Sequence, residues 1–129
     1  MAKNFEQVGN TLTVAESTLT HIDSGDGLVN SGEPCTFGAG DQFAGIAQID
    51  AVATTTQIPV LRKGVHRLAV TGRDQVPADS AVAVGDALYI DVPEGQINKD
   101  GTLGVLLGYA LGTVGAGLTA TIPVMMKDG

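Results

Sequence analysis

Two histidines, one cysteine and a short acidic run are the residues of this 129-residue chain whose types could support covalent or metal chemistry. Nucleophilic catalysis needs a nucleophile, a base within hydrogen-bond reach and a group that orients the base. His21 and His66 are the only imidazoles, and neither lies in a catalytic signature. His66 alternates with Leu68 and Val70, the pattern of a surface or half-buried strand histidine. A hydrolase built on His66 and an acidic partner would show turnover that His66→Ala abolishes. Cys35 stands in Pro34-Cys35-Thr36-Phe37 and reads as a small buried hydrophobe of a strand. A single cysteine offers no intramolecular disulfide. Asp23-Ser24-Gly25-Asp26-Gly27 is acidic but lacks the spacing and terminal Glu of a calcium loop. Gly38-Ala39-Gly40 has no third glycine at dinucleotide spacing, and no Gly-Lys-Ser/Thr triplet occurs. These residues point to no enzyme, no cofactor and no metal site.

The elements that would carry such residues are short strands. From Leu118 the chain alternates: Leu118, Ala120, Ile122, Val124 and Met126 share one face, and Thr119, Thr121, Pro123 and Met125 the other. Upstream, Val105, Leu107, Tyr109 and Leu111 share a face opposite Leu106, Gly108 and Ala110. Gly112-Thr113-Val114-Gly115-Ala116-Gly117 between them is turn chemistry. Leu103 to Met126 carries no charge, and Gly104, Gly108 and Gly112 fall at the spacing of a membrane-helix contact face. The alternation, the glycines and the absence of flanking Lys/Arg clusters favour a strand pair over a membrane span.

Further strands are expected at Thr11–Val14, Glu33–Phe37, Phe43–Ile49, Gln57–Arg62, Val65–Val70, Ala81–Val84 and Ala87–Val92. Gln57–Arg62 and Val65–Val70 read as a hairpin around Lys63-Gly64. Gln96-Ile97 and Thr102-Leu103 flank a second turn at Asn98-Lys99-Asp100-Gly101. Pro59 puts its strand at an edge or turns its nitrogen outward. Residues 1–10 read as an extended N-terminal arm. Residues 11–129 read as a single all-β domain, a barrel or sandwich of short, mostly antiparallel strands, with a long polar excursion at about 15–32.

Composition narrows the partners. Aromatics are 4% of the residues and Trp is absent, so the core is built from Val, Leu, Ile and Ala. Fourteen acidic against seven basic residues give a net charge of −7, which disfavours nucleic acid. Arg62, Lys63, His66 and Arg67 are the one local basic group and read as a solvated hairpin end. The opening Met1-Ala2-Lys3-Asn4-Phe5 lacks the apolar run of a signal peptide. Synthesis in a host cytoplasm is the expectation.

The order of short pieces resembles one family. Ala2-Lys3-Asn4-Phe5 with Gln7 and Gly9 is followed by Leu12, then Ser31-Gly32-Glu33-Pro34 and Phe43-Ala44-Gly45-Ile46-Ala47. Gly64-Val65, Val84-Gly85-Asp86-Ala87-Leu88-Tyr89-Ile90-Asp91 and Leu107-Gly108-Tyr109-Ala110-Leu111 complete the series. This order is similar to that of the small capsid decoration (cement) proteins of tailed bacteriophages. The resemblance implies a compact all-β domain on the outside of a phage head, assembled as a homotrimer in contact with the major capsid protein. It implies an anchoring role for the arm, with Lys3, Asn4, Phe5 and Val8 as capsid-contact candidates. The chain departs from the family's usual pattern in its longer Ala15–Gly32 excursion and its more polar Val65-His66-Arg67-Leu68.

The uncharged terminal pair suggests a sheet buried on both faces, in the core and against sister subunits. Thr119 and Thr121 are then subunit-interface candidates. The rival reading is a small-molecule or glycan-binding β-barrel displayed on a virion for host attachment, marked by ligand-induced stabilisation without capsids.

Overall fold

The computed structural model describes residues 11–127 except 23–27, 53–54 and 75–77. Lys3, Asn4, Phe5 and Val8 of the expected arm, and the acidic run 23–27, lie outside the described residues. Ten strands follow in chain order: β1 (Thr11–Ala15), β2 (Thr20–His21), β3 (Pro34–Phe37), β4 (Phe43–Ala47), β5 (Gln57–Leu61), β6 (Val65–Thr71), β7 (Ala87–Asp91), β8 (Gln96–Asn98), β9 (Val105–Ala110) and β10 (Thr119–Met126). They form two five-stranded antiparallel sheets, ordered β1-β5-β4-β3-β2 and β6-β10-β9-β7-β8. The chain therefore completes one sheet before starting the other.

The arrangement is sandwich-like, and of the two expected architectures the closed barrel is absent. The second sheet curls until its edge strands β6 and β8 touch. The Lys99 N–H donates to the Arg73 carbonyl at 2.9 Å just beyond them. No continuous ladder seals that seam. Among the described residues, no helix is long and apolar enough to cross a membrane.

Two apolar clusters hold the sheets. The larger takes Leu68, Val70, Leu88, Ile90, Leu107, Ile122, Val124 and Met126 from the second sheet, with Ala44 and Ile46 of β4 pressed onto them. The smaller lies on the other side of the first sheet and contains Leu19, Val29, Cys35, Phe37, Ala47, Ile58 and Val60. Strand β4 is the wall between them, which is why four of its five residues are buried. Gly45 keeps that wall thin: a Cβ there would meet the Val60 side chain and the Leu61 carbonyl. Burying a Val, Leu or Ile side chain contributes about 1.5–3 kcal/mol.

Several expectations change in detail. β5 and β6 are not a hairpin; they belong to different sheets. β5 already has β1 and β4 on its two sides, so β6 pairs with β10 instead. The hairpin in the next region is β7–β8, turned at 92–95 with Gly95 at φ +66°. Asp100 reverses the chain after it without a ladder, its carboxylate accepting the Thr102 and Leu103 N–H groups at 2.9 and 3.1 Å. The expected strand at Ala81–Val84 is a single bridge, Val82 to Val114. In the excursion, Leu19, His21 and Val29 are buried and β2 pairs with β3.

The face expected of Val105, Leu107, Tyr109 and Leu111 is broken. Between Leu88 and Tyr89 the β7–β9 register shifts by one residue, leaving Leu107 as an extra residue on β9. Leu107 and Ala110 are consequently both in the core, while Tyr109 and Leu111 are exposed. A bulge has this effect on side-chain alternation.

Pro59 and Pro123 each stand where one ladder stops. β5 lies inside the first sheet, yet Pro59 is one position past its last pair with β4. Its carbonyl accepts the Gln48 N–H at 3.0 Å, and the Gln48 carbonyl, which a Pro59 N–H would have met, accepts the Ser31 hydroxyl at 3.3 Å. Pro123 is likewise one position past the β9–β10 pairs, its carbonyl accepting the Leu111 N–H at 2.9 Å. The missing donors therefore leave no gap in either sheet.

Candidate interaction surfaces

The groups with chemical potential are built into structural contacts. His21 Nδ1 lies 2.9 Å from Glu33 Oε2, both side chains nearly buried. The other Glu33 oxygen accepts the Asn30 N–H at 2.9 Å, which ties the excursion to β3. Cys35 stands opposite His21 in the β2–β3 register. Burial, and then the charge of Glu33, push its thiol up to about 12. A thiol held that high supplies no thiolate at neutral pH, and the thiolate is the nucleophile. His66 Nε2 lies 3.1 Å from the Lys63 carbonyl and braces the turn before β6. Asn98 Nδ2 donates to the buried Asp91 at 3.0 Å, and Asn98 Oδ1 accepts the Asp100 N–H at 2.9 Å. This network fixes the β7–β8 end of the second sheet. Among the described residues, no group of three His, Cys, Asp or Glu side chains could hold a metal ion.

The outer face of the second sheet is different. On β10, Ile122, Val124 and Met126 point into the core. Thr119, Thr121, Pro123 and Met125 therefore point away, by the period of two. Register places Val65, Met125, Tyr109 and Ala87 in one row across β6, β10, β9 and β7. The next row sets Arg67 beside Pro123, with Leu111 bonded on its far side. Val65, Met125, Tyr109 and Leu111 are 54, 38, 36 and 39% exposed, too much for core positions. On β6, β10 and β9 this face carries no Asp or Glu in a chain that has fourteen.

Its single charge within the rows is Arg67, whose Nη2 donates to the Thr121 carbonyl at 3.2 Å. Lys63 is exposed at the adjoining turn. Beside them the Arg62 guanidinium stacks 5.0 Å from the Phe43 ring centroid. Lys127 Nζ donates to the Asp41 carbonyl at 2.7 Å, linking the end of β10 to the first sheet. Among the described residues, Arg73 and Lys99 differ from Lys63 and Arg67 in having carboxylate partners, Glu94 at 3.3 Å and Asp86 at 3.6 Å.

Thr119 and Thr121 both sit exposed on this face, and the Thr119 and Thr71 hydroxyls are 2.8 Å apart. Thr11 pairs with Leu61, so the chain enters β1 beside the basic turn. Sequence reasoning missed Val65, Met125 and Tyr109 as members of one row. Alternation gives the side on which each points, but the row exists only once β6, β10 and β9 are aligned.

No curated protein and no solved structure matches the chain. A family model described as phage cement protein matches residues 7–126. That span takes in all ten strands and the residues of both apolar clusters. The chain belongs to the phage cement protein family.

Proposed function

We propose that this protein decorates the exterior of an expanded phage head, binds the major capsid protein and stabilises contacts between neighbouring coat subunits. Family membership over residues 7–126 carries this reading, and implies a capsid location and a role made of contacts rather than catalysis. Binding only the assembled, expanded shell stabilises that state by mass action. Many copies, each making modest contacts, add up over one particle.

Lys3, Asn4, Phe5 and Val8 are the proposed capsid contacts. An arm that orders on binding reaches across a coat-subunit boundary, with Phe5 and Val8 as apolar anchors. Thr119 and Thr121 are the proposed contacts between copies, assembled as a homotrimer. The acid-free outer face on which they lie supports that reading, because an exposed apolar sheet face is a common form of partner surface.

The test is co-sedimentation with expanded heads assembled without this protein. The full chain should bind saturably, and removal of residues 2–10 should weaken binding while the domain still melts cooperatively. Undiminished binding by the truncated chain would refute the arm's role. Absence of binding by the full chain would refute decoration itself.

A further inference from the structure

The exposed apolar side chains gather at two places of opposite charge. Val65, Met125, Tyr109 and Leu111 lie on the outer face of the second sheet with Arg67 and Lys63. Leu28, Ile49 and Val52 are exposed on the two segments that meet where the Ala51 N–H donates to the Val29 carbonyl at 2.9 Å. Between them these two patches hold seven of the eleven large hydrophobics that are exposed among the described residues.

The second patch carries one acid, Asp50. Asp50 is exposed beside Ile49 and accepts the Ser31 N–H at 2.7 Å, with no Lys, Arg or His pairing with it among the described residues. Arg67 and Lys63 likewise have no carboxylate partner among the described residues. Within one copy the basic turn and Asp50 sit toward opposite ends of β4. The basic turn adjoins the Phe43 end of β4 and Asp50 follows its Ala47 end, a separation of about 15 Å along the strand.

We propose that two copies meet head to tail, the Val65–Met125–Tyr109 row of one seated on the Leu28–Ile49–Val52 patch of the next, with Arg67 facing Asp50. This rests on the reading that copies of the chain associate. Charge selects the pairing. The copies carry a net charge of −7 each and repel one another in general. The acid-free face is a surface on which an approaching carboxylate meets a cation instead. Face-to-face pairing of two such surfaces would oppose Arg67 to Arg67, whereas the head-to-tail contact opposes unlike charges. Such a contact is heterologous, and it closes into a ring when its rotation allows.

Charge reversal of the full-length protein tests this, with association read by sedimentation equilibrium and folding by thermal melting. Arg67→Glu and Asp50→Arg should each weaken association about tenfold or more, and the double variant should recover to within about threefold of wild type. If Arg67→Glu does not fold, Val65→Glu on the same exposed row takes its place with the same expected loss. Dissociation by Arg67→Glu but not by Asp50→Arg would mean face-to-face pairing and overturn the proposal. A folded double variant that stays dissociated would overturn it too, as would a wild-type chain that is monomeric throughout. Binding to expanded heads is read separately, so a lost self-contact with retained head binding leaves the decoration role standing.

Discussion

Gly108 marks the closest approach of β9 to β10, and a single methyl group there should be costly. A Cβ on Gly108 would fall on the Met125 carbonyl oxygen, 3.0 Å from its carbon and 3.1 Å from Met126 Cα. All three are backbone atoms, so no rotamer change relieves the clash. Ordinary carbon contacts need about 3.5 Å or more, and the strands would have to part by about 1 Å. The Lys127 N–H to Leu107 carbonyl bond, 3.0 Å, lies next to that point. Overpacking costs about 1–3 kcal/mol and each weakened ladder bond about 1 kcal/mol, so Gly108→Ala should lose about 3 kcal/mol. For a chain of this length each kcal/mol moves Tm by about 4 °C, which gives a fall of about 12 °C in calorimetry. Gly85→Ala is the comparison: the site is open but at φ +95°, so it carries conformational strain alone, about 1–2 kcal/mol. A Gly108→Ala protein that melts within about 2 °C of wild type, or no lower than Gly85→Ala, would refute the packing argument.

Three other outcomes follow from the same structure. Well below pH 9.0 the Cys35 thiol is protonated in both folded and unfolded chains, so its burial adds no pH slope there. As pH rises from 9.0 to about 12 only the unfolded chain ionises, and stability should fall by up to about 4 kcal/mol. Chemical denaturation across that range checks it, and an equal slope in Cys35→Ala would contradict it. Glu33→Ala removes the hydrogen-bond partner of buried His21 Nδ1 and the acceptor of the Asn30 N–H; the loss should be about 2 kcal/mol, and a change under about 0.5 kcal/mol in urea unfolding would count against the pairing. Thr121→Asp puts an acid on the acid-free face and should dissociate the proposed oligomer, with stability shifting by no more than about 0.5 kcal/mol; an unchanged mass by light scattering would mean that this part of the face is simply exposed.

Much of the fold was legible because alternation is a local signal. From Ile122 to Met126 β10 points as the sequence predicts, with Ile122, Val124 and Met126 inward, because an antiparallel sheet with one solvated face imposes that period, whereas Leu118 and Ala120, expected on the same face, are exposed. Partner choice is not local. Lys63-Gly64 looks like a hairpin turn, yet whether β6 folds back on β5 depends on β5 already having neighbours on both sides. The side on which Tyr109 points depends on a one-residue bulge that no residue type announces. Gly108, one of three glycines at membrane-helix spacing in the sequence, proves to be a packing position in a strand, one residue from the bulge. The His21–Glu33 pair joins residues twelve apart with no motif between them. That Thr119 and Thr121 are exposed on the outer face was readable from alternation. The Val65–Met125–Tyr109 row required the register of three strands.

The most direct measurement is a titration of expanded, undecorated heads with the purified full-length chain, followed by cryo-electron microscopy and thermal melting of the heads. The account predicts a fixed saturating number of copies, ordered density on the outer surface at repeated positions, and heads that withstand higher temperature. Heads that saturate with no ordered density, or that melt no later than undecorated ones, would contradict it.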